Sequence, residues 1–160
     1  MTTATEKTSE TLSEETLSEI MNTGSTFSYL EEIETVIGSL AQDQKVMVGE
    51  SETDGHLWKF HYGSVEVFVQ LTGESSNDTL SVWSFVLSLP AKNEPELMRK
   101  LLEMNWLSTF ESHFAIVDNR VAVVSTRTVA ELSPGEIARV ITIVATIADD
   151  NDDILIAQYL

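Results

Sequence analysis

Three histidines, His56, His61 and His113, are the first residues to test for chemistry. Imidazole can serve as a general base near neutral pH or as a metal ligand. His56 and His61 stand at either end of one predicted strand, an odd number of residues apart, so their side chains point to opposite faces and should not share a metal. No HExxH or comparable helical pair accompanies them, and they read as surface or internally satisfied histidines. The run Asp149-Asp150-Asn151-Asp152-Asp153 could attract a hard cation, which takes oxygen ligands. It lacks the central Gly and distal Glu of a calcium loop. Carboxylates at a helix C-terminus oppose the helix dipole, so the run is expected to be a solvated, acidic helix end.

Other routes to catalysis find no support. Serine is abundant, yet no G-x-S-x-G elbow surrounds any of it. Neither a G-x-x-x-x-G-K-[ST] loop nor a G-x-G-x-x-G turn is present to hold a nucleotide. Paired carboxylates such as Glu31-Glu32 fall on a polar helix face, where nothing would shift their pKa values. The absence of cysteine removes disulfides, thiol catalysis and thiolate metal sites together, and fits a reducing cytoplasm. No catalytic, cofactor-binding or metal-ligating residue is assigned, and an enzyme is disfavoured.

Aromatic and basic side chains remain. Trp58, Tyr62, Trp83 and Trp106 are more large aromatics than a sheet of this size must expose, and core packing explains most of them. Lys92, Arg99 and Lys100 gather around one predicted helix start. They either balance Glu94, Glu96 and Glu103 as solvated charges or receive an acidic partner. Elsewhere the chain is acidic: 26 acidic against 9 basic side chains leave a net charge of −17 over 160 residues. Such a surface repels phosphate backbones and anionic headgroups, so neither nucleic acid nor membrane is an expected partner. The N-terminus shows no basic and apolar signal pattern, and no apolar run approaches the ~18 residues of a membrane span.

The elements that must position these residues centre on Ser81 to Trp106. Val82 and Val86 alternate with Trp83, Phe85, Leu87 and Leu89, apolar on both faces, as in a strand covered on two sides. Pro90 ends that strand because it has no N–H to donate. Asn93 then caps a helix, with Glu96 reaching back to the cap. Leu97, Leu101 and Met104, with Met98 and Leu102, form the helix's apolar face.

Residues 1–24 are rich in Thr, Ser and Glu, with too few apolar groups to offset the entropy of ordering, and are expected to be a disordered tail. Within it Leu12, Leu17, Ile20 and Met21 make a ragged helical stripe, and a docked or partner-induced helix is the alternative reading. Residues 25–160 are expected to form one domain. Its first helix starts at Ser28, in a capping box with Glu31, and buries Leu30, Ile33, Val36, Ile37 and Leu40. A short strand holds Val46 and Val48. Leu57 to Tyr62 and Val65 to Leu71 form a hairpin through Gly63-Ser64, and Phe114 to Val117 and Val121 to Val124 another through Asp118-Asn119. Ser133-Pro134-Gly135-Glu136 starts a last helix, with Ile137, Val140, Ile141, Val144, Ala145 and Ala148 on one face. With Ile143 and Ile147 added, that helix is either deeply buried or offers a second face to another chain. Runs of strands joined by short turns, with helices between the runs, predict an α+β fold: an antiparallel sheet with helices packed on one face.

LLEMNW on the second helix, FAIVDNRVAVVSTRTVAELSPGEIARVITIVATIADDND, the preceding VLSLP and VGESETDGHLWKFHYGSVEVFVQL together resemble the YbjN-type family of bacterial sensory transduction regulators. The resemblance runs from about Phe27 to the end of the chain. It implies a fold like that of type III secretion chaperones, in the order α-β-β-β-α-β-β-α. It further implies an acidic cytoplasmic homodimer that binds partner polypeptides along apolar grooves, and it carries no catalytic residues. On this pattern Leu97, Leu101, Met104, Arg99 and Lys100 form the expected partner or dimer surface. A non-enzymatic protein-binding regulator or chaperone-like adaptor is the leading expectation; a small-ligand sensor with a pocket at Trp58, Phe60, Tyr62 or Trp83 is the alternative.

Overall fold

The computed structural model describes residues 28–41, 46–50, 55–130 and 132–160. The expected tail, the position of Phe27 and most of the loop after residue 50 lie outside them. Helix α1 spans Tyr29–Ala41, strands β1 Met47–Glu50, β2 His56–Tyr62, β3 Val65–Leu71 and β4 Thr79–Ser88 follow, then α2 Glu94–Leu107, β5 His113–Val117, β6 Arg120–Thr128 and α3 Pro134–Tyr159. The six strands form one antiparallel sheet in the order β1-β2-β3-β4-β6-β5. The architecture is α+β, with β1 as one strand more before α2 than the order implied by resemblance.

Two tight turns set the sheet's register. Gly63 sits at φ 55, where a Cβ is disfavoured, and an added Cβ would also run into the Asp149 carboxylate. Asp118 and Asn119 both take positive φ, 49 and 57, the pattern of a two-residue turn whose twist matches the strands it joins. Alternation then sorts the side chains. Trp58, Phe60, Val67, Val69, Leu80, Val82, Val121 and Val123 are buried on one face. Against that face α3 lies across β4, β3 and β6, α1 packs on α3 and β2, and α2 sits beside β5.

Among the described residues the other face carries no helix, in contrast to the expectation that β4 is covered on two sides. Its rings shield one another instead: Phe68 stacks on Trp83 at 5.4 Å and meets Phe85 edge-on at 6.0 Å. The Arg120 guanidinium lies 3.4 Å above the Phe85 ring, and Lys59 stands 5.7 Å from that of Phe68. Beyond Phe85 the ladder slips by one residue, so Val86 and Leu87 are both buried.

Helix α3 begins as expected. Ser133 Oγ accepts from the Glu136 N–H at 3.2 Å, and the Ser133 N–H donates to Glu136 Oε2 at 2.8 Å. It does not stop at the aspartates, however, and continues to Tyr159. Asp152 lies on the buried stripe that Ala148, Leu155 and Tyr159 extend. Ser64 Oγ sits 2.9 and 2.8 Å from the two Asp152 oxygens and 3.0 Å from Asp149, while the Ser64 N–H donates to Asp149 at 2.9 Å. The helix therefore passes through its acidic run by clamping the β2–β3 turn.

Candidate docking surface

Helix α2 divides its side chains sharply. Leu97 and Leu101 are buried in the chain's own core, Met98 and Met104 are half-buried against it, and the opposite stripe faces solvent. On that stripe Leu102 is 69%, Trp106 88% and Leu107 77% exposed. Phe110, in the turn that follows, is 75% exposed and held at φ 53, a left-handed conformation that a bulky residue rarely adopts. Ile116 on β5 continues the patch at 56%.

The shape of this region follows from what ties α2 to the sheet. Asn105 receives the Phe114 N–H on its Oδ1 at 2.7 Å and donates its amide to the Phe114 carbonyl at 3.4 Å. That clasp sets α2 alongside β5, the last strand of the sheet, whose outer backbone groups have no strand partner among the described residues. A groove of about 220 Å³ lies between them, lined by Met98, Leu101, Leu102, Asn105, Phe114 and Ile116, among others. A neighbouring hollow of about 430 Å³ is walled by Arg99, Leu102, Glu103, Trp106 and Leu107. Large apolar side chains, a groove and an open strand edge thus occupy one side of the molecule, a combination that monomeric surfaces seldom show.

The five residues expected from sequence at a partner surface fall in different places. Leu97 and Leu101 are core. Met104 is half-buried. Lys100 donates to Gln158 Oε1 at 2.7 Å and lies 5.8 Å from the Tyr159 ring, so it serves the end of α3. Lys92 likewise donates to the Leu160 carbonyl at 2.7 Å. Only Arg99 borders the apolar hollow, in an exposed pair with Glu103 at 3.2 Å. Sequence periodicity missed Trp106, Leu107 and Phe110 because it selects the stripe that faces the core, and their exposure depends on where the core ends.

The expected cap of α2 also differs. Asn93 takes a left-handed conformation, φ 49, and makes no side-chain bond to the helix backbone; its amide donates to the Glu96 carboxylate instead.

The ligand-sensor residues do not converge. Trp58 and Phe60 are fully buried, Tyr62 is half-buried on the same face, and Trp83 stands on the opposite one, so no single pocket takes all four. The Trp58 Nε1–H finds no acceptor among the described residues. His56 lies 5.7 Å from the Trp58 ring, His61 is exposed 3.4 Å from Glu66, and no group of three potential metal ligands occurs among the described residues. No helix there is long and apolar enough to cross a membrane.

No curated protein matches the chain significantly by sequence. A chain in the crystal structure of the ExsC-ExsE complex is similar at 13% identity and a TM-score of 0.49, covering 81% of this chain and 97% of that one. The profile of the YbjN family, described as "Putative bacterial sensory transduction regulator", matches residues 29–157, from the first residue of α1 almost to the end of α3. This chain therefore belongs to the YbjN family.

Proposed function

We propose that this protein is a non-enzymatic, cytoplasmic regulator that acts as an adaptor, binding an apolar segment of a partner protein on the surface formed by α2, the turn at Phe110 and β5. One observation carries the reading: Leu102, Trp106, Leu107, Phe110 and Ile116 are all exposed on one side of the fold, around a groove. Large aromatic anchors of this kind dominate the energetics of protein interfaces once desolvated. A helical segment would lay side chains into the groove, and an extended one could pair with the edge of β5. The net charge of −17 would then repel other acidic chains and narrow the choice of partner. A second copy of the chain is the competing occupant, giving a homodimer through α2.

The test is affinity capture from a lysate of the source organism with the full chain and with Trp106→Ser/Leu107→Ser. Both positions are exposed, so the double variant should melt within a degree or two of the parent. A polypeptide held saturably by the parent and lost by the variant is the expected result. Retention of the same partner by the variant would move the binding site elsewhere. Light scattering at increasing concentration addresses the homodimer: a mass that doubles in the parent and not in the variant assigns the surface to self-association.

A further inference from the structure

We infer that the sheet face opposite the helices binds a polypeptide segment that sets one carboxylate on Arg120 and apolar side chains on the rings of Phe68, Trp83 and Phe85. Strand register builds this face. Lys59, Phe68, Trp83 and Val124 stand side by side across β2, β3, β4 and β6, and Phe85 pairs with Ala122 in the next row. Arg120, two residues before Ala122, reaches over Phe85, its guanidinium 3.4 Å from the ring centre. The three rings and Arg120 are half-buried, so part of each stays open to a partner.

Charge says what that partner brings. On a chain with a net charge of −17, this face sets Lys59 and Arg120 against a single strand carboxylate, Glu66. That carboxylate is already held by Lys59 at 3.1 Å and lies 3.4 Å from His61. Every other lysine and arginine among the described residues meets an oxygen within 3.2 Å. Arg120 has neither an ion pair nor a side-chain hydrogen bond there. The Phe85 ring occupies the guanidinium's flat side and leaves its forked N–H edge, which matches a carboxylate in a bidentate pair.

One carboxylate among apolar residues fits better than an acidic run, which the net charge would repel. A nucleic acid would bring a phosphate with every nucleotide, and Phe68 and Trp83 stack at 6° on each other, closing their facing sides to bases. A small molecule needs a concave site, whereas this is a strand surface. Two copies laid face to face would oppose cation to cation. The face lies on the other side of the sheet from Ile116 and the α2–β5 groove, so the inference does not rest on the docking reading and adds a second, separate surface.

A random-peptide library displayed on phage and selected on the full-length chain supplies the probe. Recovered peptides are synthesised and titrated against the parent, Arg120→Gln, Arg120→Lys and Trp106→Ser/Leu107→Ser. The expected result is a class of peptides with Asp or Glu beside large apolar residues, bound about tenfold or more weakly by Arg120→Gln, less weakly by Arg120→Lys, and as in the parent by the α2 double variant. In 15N-labelled parent the same peptides should shift the indole N–H signal of Trp83 and not that of Trp106, a readout that stands even where a variant fails to fold. Failure to recover such a class, equal binding by folded Arg120→Gln, or a shift at Trp106 in place of Trp83 overturns the inference. So does a mass that doubles in the parent and not in Arg120→Gln, since the occupant is then a second copy. None of these outcomes decides the docking reading, whose own test is the loss of partner from Trp106→Ser/Leu107→Ser.

Discussion

Ser64 is where single atoms decide most. Its hydroxyl carries one proton and faces oxygens of both Asp149 and Asp152, and Asp152 is only 5% exposed. Removing the hydroxyl strands a buried carboxylate, so Ser64→Ala should cost about 1–3 kcal/mol in urea unfolding, far more than an ordinary surface serine. An unchanged midpoint would show that water reaches Asp152. A second set of carboxyls sets the acid limb of stability. Glu136 is held below its ordinary value by the Ser133 N–H, then by Arg127 and the Ser133 hydroxyl. Glu111 is lowered by Arg139, and Asp78 by Ser75 and Thr72. Each binds its proton less readily folded than unfolded, so the stability it adds is fully present above the ordinary values of 4.5 for Glu and 3.8 for Asp. That stability falls away as pH drops through the lower folded values. Glu136→Gln should therefore flatten the acid limb of a stability–pH profile below pH 4.5, and an unaltered slope would count against the capping carboxylate as a contributor.

Among the elements, α2 shows how much of the molecule was legible in its sequence. The apolar stripe of Leu97, Leu101 and Met104 was readable because helical spacing repeats every turn. Its meaning was not, since a core stripe and a partner stripe share one pattern, and only the position of β5 shows Leu97 and Leu101 to be internal. Leu101→Glu should therefore unfold the chain, with roughly 2–5 kcal/mol of packing lost before the buried charge is counted. Leu102→Glu, one residue on, should leave the melt nearly unchanged. Equal effects from the two would mean that α2 is turned about its axis. Both hairpins were legible because Gly63 and Asp118-Asn119 name their turns chemically. The length of α3 was not: an acidic run favours a helix end locally, and what keeps the helix going is Ser64, more than eighty residues away. The sheet face that carries no helix among the described residues was hidden for the same kind of reason, because apolar alternation does not distinguish burial under a helix from rings stacked on each other.

At the scale of the whole molecule, charge is the dominant unbalanced quantity. With 26 acidic and 9 basic side chains, most carboxylates have no cation to pair with. The ion pairs among the described residues are partly or well exposed, such as Lys59–Glu66 and Arg99–Glu103, and pairs of that kind each stabilise by at most about 1 kcal/mol. Added salt therefore weakens a few small attractions and many repulsions at once. The Debye length falls from about 30 Å at 0.01 M to about 10 Å at 0.1 M, shorter than the width of this fold, so repulsion across the molecule is what fades first. The thermal midpoint should rise with sodium chloride over that range, while the salt concentration is still too low for its effect on apolar hydration to matter. A falling midpoint would mean that the exposed pairs outweigh the net charge. The same screening acts on the α2–β5 surface: repulsion between copies at −17 opposes self-association, so if a second copy can occupy the patch, its share should grow with salt. A mass by light scattering that climbs from about 0.01 M to about 0.1 M salt is therefore the pattern expected of a second copy on the patch, and a mass that stays at one chain across that range counts against self-association.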